Sequence, residues 1–357
     1  MAYQSVGTPR FYINDPQFLA SNNARSVTQN NTSWSDRILN ELNPTNYFVH
    51  SSGSEERFIT TRLTNGFNYV AWLGHNLSDT QYRVSAKHIN PDGDSGSAVA
   101  ITGGVNISGN GNAVPPKDGF HIHFYNQHHD TEARLYVQSQ GETHFSAGCG
   151  AISIGRYYDM PHSPDLSLTQ EREYAGTNTI ETKGGATLSN SLYHKPALWG
   201  NGYPPWELYN HPSTDEAVEQ LMKDARAMSK SGRRLWNLSF SYLDDGDLFG
   251  SNQTLFKSDL AGEWAGTVSD YNDTGDIISG NENENLNGTF GHNIMTDLNF
   301  YSSVIHRTNG GQLPFIFQPD NTDFTNMAIA KFDQKSFQYK QVAFGVYDIS
   351  LKIREVW

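Results

Sequence analysis

The chain has 357 residues, which is enough for two domains, and its 25 Lys and Arg against 38 Asp and Glu give a formal net charge of −13. This acidic balance, without a run of clustered cations, argues against nucleic acid as a main partner, because binding phosphates needs such clusters. Aromatic residues make up 12% and charged residues 18% of the chain, a composition that argues against disorder and favours a β-rich, turn-rich protein.

A single cysteine, Cys149, excludes an internal disulfide and a zinc site built from cysteines. It lies beside a predicted strand, so we expect a buried thiol and not a nucleophile. No stretch has the roughly 18 apolar residues that a membrane helix needs, and residues 1–10 lack the pattern of a secretory signal. We therefore expect synthesis in a reducing cytoplasm and no membrane insertion.

The first half of the chain alternates apolar and polar residues in short runs, at 67–73, 82–86, 120–125 and 152–155. Runs of this kind, bounded by Gly, Asn, Asp or Pro, are typical of antiparallel strands in a sandwich or barrel. A stretch rich in Gly and Pro, 90–117, is expected to be a surface loop. This half is therefore predicted to be an antiparallel β-sandwich.

The second half begins at residues 161–164, where two prolines exclude a continuing strand ladder. Its predicted elements are a strand at 179–188, a helix near 214–230, a strand at 236–242, an exposed acidic insertion at 251–293, a helix near 296–307, and strands at 314–318, 327–332 and 347–357. The predicted division of the chain is an N-terminal arm at 1–44, a β-sandwich at 45–160 and a second β domain at 161–357.

The last strand shows the clearest pattern of the chain. Apolar residues alternate with polar ones along it, at Tyr347, Ile349, Leu351, Ile353 and Trp357. A patterned terminus is expected to be anchored in a sheet or in a neighbouring subunit. We expect these five residues to join copies of the chain.

The sharpest candidate for chemistry is the pair His121 and His123. Residues at i and i+2 of a strand project to the same face, so both imidazoles could reach one metal ion. The possible further ligands are His128, His129, Asp130 and His144. The alternative is a polar, solvent-facing side of an amphipathic strand, and because the spacing does not fix the remaining ligands, no metal or other cofactor is assigned.

Other candidate sites carry less signal. Residues 270–276 resemble the front of a calcium loop but lack the Glu that closes it, so a solvated acidic loop is the interpretation. A nucleophile elbow and a phosphate-binding Gly motif are absent from the sequence, and the protein is predicted not to be an enzyme. Sugar stacking is conceivable for Trp72, Trp199, Trp206 and Trp264, although most Trp residues of β-rich proteins lie in the core.

Two motifs of the first half, VAWLGHNLS at 70–78 and ISIGRYYDMP at 152–161, together resemble the jelly-roll, discoidin-like (galactose-binding-like) modules of tailed-bacteriophage structural proteins. In the second half, GRRLWNLSF at 232–240, GQLPFIFQP at 311–319 and the closing strand look like the tail-tube-like fold of phage minor tail and distal tail proteins. The resemblance implies a mainly β protein, with an N-terminal jelly-roll sandwich and a C-terminal tail-tube-like β-barrel or sheet that carries one or two helices.

The resemblance also implies a function. The expected protein is a non-enzymatic component of the phage virion, at the tail tip or beside the tube, that forms a ring of six or three copies after synthesis in the bacterial cytoplasm. Its expected partners are copies of itself, the tube, tape-measure and hub proteins, and host-surface glycan. Two alternatives remain open: a carbohydrate-binding receptor-binding or capsid decoration protein, and a polysaccharide-degrading or metal-dependent hydrolase that uses His121 and His123.

Overall fold

A computed structural model describes a large part of the chain. The described residues are 7–32, 34–43, 48–51, 56–64, 66–75, 77, 82–89, 95–98, 101–103, 119–128, 132–139, 146–166, 169–173, 177–191, 233–248, 298–324 and 326–356.

The described residues form mainly β-structure. The strands of the first half are Arg10–Tyr12 (β1), Val27–Asn30 (β2), Phe48–Ser51 (β3), Glu56–Arg62 (β4), Phe67–His75 (β5), Tyr82–Ile89 (β6), Ser95–Ala98 (β7), Ile101–Gly103 (β8), Gly119–His128 (β9), Glu132–Ser139 (β10), Ser146–Cys149 (β11), Ala151–Gly155 (β12) and Tyr157–Asp159 (β13). Those of the second half are Thr169–Glu173 (β14), Thr177–Glu181 (β15), Thr187–Ser191 (β16), Arg233–Asp244 (β17), Phe315–Gln318 (β18), Ala328–Phe332 (β19), Tyr339–Ala343 (β20) and Val346–Glu355 (β21). The helices are Asp15–Ser21 (α1), Arg37–Asn40 (α2), Asp245–Leu248 (α3) and the π-helical Tyr301–His306 (α4).

Two antiparallel sheets form a sandwich in the first half. One has the strand order β2-β4-β10-β6-β7 and the other β12-β5-β9-β8. The chain crosses from one sheet to the other between β4, β5 and β6 and again between β9 and β10, as the chain does in a jelly-roll. The first core lies between the sheets, with Ile59 and Leu135 from one sheet and Val70, Trp72 and Ile152 from the other. The prediction of an N-terminal antiparallel jelly-roll sandwich is therefore confirmed.

A larger antiparallel sheet contains most of the second half. Its strand order is β13-β1-β18-β19-β21-β17-β14, with β20 added on β21. One face of this sheet packs with Phe300 and Val304 of the α4 region to form the second core. Within the described residues the path of the sheet ends at β13 and at β14, so these strands form an open sheet and not the closed barrel that was the other expectation.

A third core joins the large sheet to the sandwich. Tyr12 of β1, Ile316 of β18 and Ile329 of β19 share it with Tyr69 and Leu73 of β5, on the outer face of the four-stranded sheet. Neighbouring residues of a strand point to opposite faces, so β1 contributes side chains to two cores. Tyr12 lies in the third core.

The preceding residue of β1, Phe11, points to the opposite face and lies in the second core. Part of the expected N-terminal arm is thus a strand that pairs with β13 and β18. The boundaries at residues 44 and 160 stay a prediction.

Buried ion pairs connect distant parts of the chain. Asp15 and Arg307 form one at 2.8 Å, and Arg234 and Glu355 form the other at 2.9 Å, with all four side chains at most 4% exposed. Glu355 is the residue that interrupts the apolar pattern of the last strand, and its carboxylate accepts hydrogen bonds from the backbone N–H and the guanidinium of Arg234. The apolar pattern is therefore interrupted by a buried carboxylate that pairs with a buried guanidinium.

Several predicted elements can be compared directly. The predicted strands at 236–242, 314–318 and 327–332 correspond to β17, β18 and β19. The single strand predicted at 179–188 is wrong: the chain turns at 182–186, where Gly185 has a φ of 78°, so β15 and β16 pair as a hairpin.

The other predicted elements have different outcomes. The loop expected at 90–117 contains the short strands β7 and β8. The α4 helix lies inside the range 296–307, whereas the predicted helix near 214–230 and the insertion at 251–293 lie outside the described residues. Among the helices described, none has the length and apolar character needed to span a membrane.

Candidate functional site

The His121 and His123 side chains point into the sandwich and not to solvent. In the register of β5 and β9, His121 pairs with Trp72 and His123 with Val70, and both partners belong to the first core. The two Nε2 atoms are 2.9 Å apart, so one imidazole donates its Nε2–H to the other. The alternative of a solvent-facing strand side is therefore wrong for this pair.

A third histidine, His75 at the end of β5, lies close enough to affect the same pair. Its Nδ1 accepts a hydrogen bond from the backbone N–H of Leu77 at 3.2 Å, so the proton of the neutral ring is on Nε2. Within the described residues, His75 Nε2 and His123 Nδ1 are both buried without a hydrogen-bond partner. His75, His121 and His123 thus form a polar cluster inside an apolar core; it is called the histidine cluster below.

The surroundings hold all three histidines neutral. Burial first and proximity to His121 second lower the pKa of His75 to about 3. Burial alone lowers the pKa of His121 to about 4. The pKa of His123 is well below its ordinary value because of burial first and the two neighbouring imidazoles second. Neutral imidazoles are the form that binds metal, but the described residues include no group of three His, Cys, Asp or Glu able to hold an ion. The metal hypothesis for this pair stays a prediction.

The candidate sugar platform Trp72 is buried. Its side chain is 1% exposed and packs in the first core, so it offers no face to a pyranose. Trp199, Trp206 and Trp264 lie outside the described residues. Cys149 is fully buried, and burial raises the pKa of its thiol to about 12, as expected for a structural cysteine.

The residues expected to join copies of the chain have a different role. Ile349, Leu351 and Ile353 are at most 2% exposed and pack in the second core of their own chain. They therefore leave no surface for a sister subunit, and the structure moves them from an expected interface to the interior. Tyr347 is half-buried at the edge of the same core, and Trp357 lies outside the described residues.

Exposed apolar side chains occur instead at the start of the last strand. Phe344, in the turn between β20 and β21, is 100% exposed, and Val342 in β20 is 42% exposed. Tyr242 is 79% exposed at a bulge of β17, with a φ of 63°, and its backbone N–H donates to Asp348 at the start of β21. This set, Tyr242, Val342 and Phe344, is called the hairpin tip below.

The outer face of the five-stranded sheet carries cations stacked on aromatic rings. The Arg134 guanidinium lies 4.3 Å from the ring centroid of Phe58, and the Lys87 ammonium lies 4.1 Å from that of Tyr136. The two rings are 5.6 Å apart. None of these residues is predicted as a site from the sequence, although the alternation of Arg134 and Tyr136 with Ala133, Leu135 and Val137 indicates an outward-facing row on the strand.

Comparison with known proteins gives limited similarity. No family model matches the chain, and no curated protein matches its sequence. Among solved structures, chitosan-binding module 1 from a chitosanase/glucanase of Paenibacillus sp. IK-5 aligns with 12% identity and a TM-score of 0.26, over 36% of this chain and 93% of that one. CBM32-3 from a family 31 glycoside hydrolase of Clostridium perfringens aligns with 12% identity and a TM-score of 0.27, over 36% of this chain and 88% of that one. TM-scores this low carry no argument about function, and the jelly-roll assignment rests on the strand order given above.

Proposed function

We propose that the protein is a non-enzymatic structural component of a tailed-phage particle, at the tail tip or among the minor tail proteins. The observation that supports this proposal best is the third core, in which Tyr12, Ile316 and Ile329 of the large sheet pack against Tyr69 and Leu73 of the jelly-roll. A buried apolar interface of this kind holds two modules in a fixed relative position. A subunit that positions its neighbours in a particle needs such a rigid frame.

Assembly with further copies is the second part of the proposal. The hairpin tip is the surface proposed for it, because exposed large apolar side chains favour association. Closed cyclic symmetry would then produce a ring, as the resemblance to distal tail proteins implies. The tube, tape-measure and hub proteins are the proposed neighbours of that ring.

Mass spectrometry of purified particles tests the proposal. We expect peptides of this protein in particles purified from the bacterial host, with a copy number that is a multiple of three or six. Absence of the protein from particles that contain the other tail proteins would contradict the assignment. Particles should be washed in high salt first, so that protein adsorbed through surface charges is removed.

A second candidate function is contact with host-surface glycan through the jelly-roll. Jelly-roll sandwiches serve as lectin domains as well as viral capsid domains, and a fold by itself does not choose between them. The specific observation that favours glycan contact is the pair of cations, Arg134 and Lys87, that lie over aromatic rings on the outer face of the five-stranded sheet. A glycan array probed with the purified protein tests this function, and the absence of signal on all glycans would contradict it.

A further inference from the structure

The register of three strands places two cations directly opposite each other. Arg134 of β10 pairs with Lys87 of β6 on one side and with Thr60 of β4 on the other. Like charges in directly opposite positions of a sheet are destabilising unless a counter-charge lies nearby. The carboxylate of Glu132 lies on the same face, and it pairs with Arg62 at 3.7 Å. Among the described residues, no ion pair engages Arg134 or Lys87.

Both cations are held in place by their surroundings. Arg134 stacks on Phe58, its Nε donates to Thr60 Oγ1 at 2.9 Å, and its Nη2 donates to Gln29 Oε1. These two acceptors leave the Nη1 hydrogens and one Nη2 hydrogen without an acceptor among the described residues. Lys87 lies over the ring of Tyr136. The donors are thus pre-organised before any ligand arrives, which lowers the entropic cost of binding.

A third polar group belongs to the same surface. Ser85 pairs with Tyr136 across β6 and β10, on the face that carries the cations. Its side chain is 2% exposed, and its hydroxyl is buried without a hydrogen-bond partner among the described residues. The hydroxyl is therefore a buried polar group without a partner among these residues, on the same face as the two cations.

We propose that this face of the jelly-roll binds an acidic polysaccharide, with a carboxylate or sulfate group held between Arg134 and Lys87. The inference rests on the glycan contact proposed above and names the class of glycan. An anion at this position removes the repulsion between the two cations and forms charge-assisted hydrogen bonds with both. The exposed amide of Gln29, beside Arg134, suits the hydroxyl groups of a sugar chain. A long nucleic acid fits less well, because the whole chain carries a net charge of −13.

Binding measurements with defined polymers test the inference. The probes are polygalacturonate for carboxylates, dextran sulfate for sulfates, neutral dextran and a single-stranded DNA oligonucleotide. We expect the wild-type protein to bind one or both acidic polysaccharides, and to bind them more weakly when salt is raised from 50 to about 500 mM. The variants Arg134→Gln and Lys87→Gln should each weaken binding about tenfold or more, because each removes a hydrogen bond between charged groups.

Arg37→Gln is the matched control, since it removes the same charge from an exposed pair with Glu41 elsewhere on the surface. It should leave binding unchanged. Lys87→Gln, which removes the cation that makes no hydrogen bond to the sheet in the described residues, keeps the test decisive if Arg134→Gln fails to fold. Equal losses in the control, absence of binding to both acidic polymers, or DNA binding as tight as that of the polysaccharides would overturn the inference. Binding to neutral dextran alone would also overturn it, while leaving the glycan contact itself in place.

Discussion

Asp15 and Arg307 form a buried ion pair at 2.8 Å although 292 positions separate them in the chain. Asp15 begins helix α1, and Arg307 directly follows helix α4. The same carboxylate also accepts hydrogen bonds from the backbone N–H and the hydroxyl of Thr64. One side chain thus connects the N-terminal segment, the jelly-roll and the second half of the chain.

Removing this charge should destabilise the whole protein. Arg156 lies near the pair, and its pKa is lowered to about 10 by burial first and by Arg307 second, so Asp15 compensates two cations. Asp15→Asn should lower the free energy of unfolding by about 3 to 5 kcal/mol, the usual cost of breaking a buried pair. Urea unfolding measures the change. The exposed pair Arg37–Glu41 provides the control, and Glu41→Gln should cost at most about 0.5 kcal/mol.

Acid should destabilise the protein through the histidine cluster. In the unfolded chain the three imidazoles titrate near 6.5, whereas in the folded chain the pKa of His121 is about 4 and that of His75 about 3. Between these values the unfolded state binds more protons, so stability is complete above pH 6.5 and falls as the pH decreases towards 4. Each histidine contributes up to about 1.4 kcal/mol per pH unit in this window.

Urea unfolding at pH 7.5, 6.5, 5.5 and 4.5 measures this dependence. His121→Gln should reduce the slope of stability against pH by one proton. A stability that stays constant from pH 7.5 to pH 5 would contradict the neutral, buried cluster.

Substitutions at two neighbouring glycines should distinguish the cost of a strained backbone from the cost of a steric clash. Gly310 and Gly311 have φ values of +69° and +86°, in the left-handed region that favours glycine. A Cβ at Gly311 would lie 2.8 Å from Cβ of Phe332, whereas a Cβ at Gly310 has nothing within 4 Å. Gly310→Ala should cost about 1 to 2 kcal/mol for the backbone alone, and Gly311→Ala about 1 to 3 kcal/mol more. Equal thermal shifts for the two variants would contradict the close approach to Phe332.

The strands of this protein were predictable where their pattern is local. The alternation along β17 and β21 shows in the sequence because one face of each strand is apolar and the other polar. The direction of that apolar face was not predictable. A buried face looks the same in sequence whether it packs in its own chain or against a subunit, so Ile349, Leu351 and Ile353 were assigned to the wrong partner.

The candidate sites depended on contacts between distant residues. His121 and His123 suggested a solvent-facing or metal-binding side, since no local signal shows that the opposite face of β9 packs against the second half of the chain. The opposition of Arg134 and Lys87 depends on a strand register that joins residues 47 positions apart. Glu355 interrupts the apolar pattern of the last strand because it pairs with Arg234, which is 121 positions away in the chain.

The proposed function is that of a structural subunit that assembles with copies of itself through the hairpin tip. Light scattering after size-exclusion chromatography at high protein concentration measures the mass directly. We expect a mass of three or six chains for the wild type, and the mass of one chain for Phe344→Ser and for Tyr242→Asn, which keeps a residue that tolerates a positive φ. Leu188→Ser, at a 61% exposed position of another hairpin, should retain the assembled mass. A wild-type protein with the mass of a single chain at every concentration would contradict the claim.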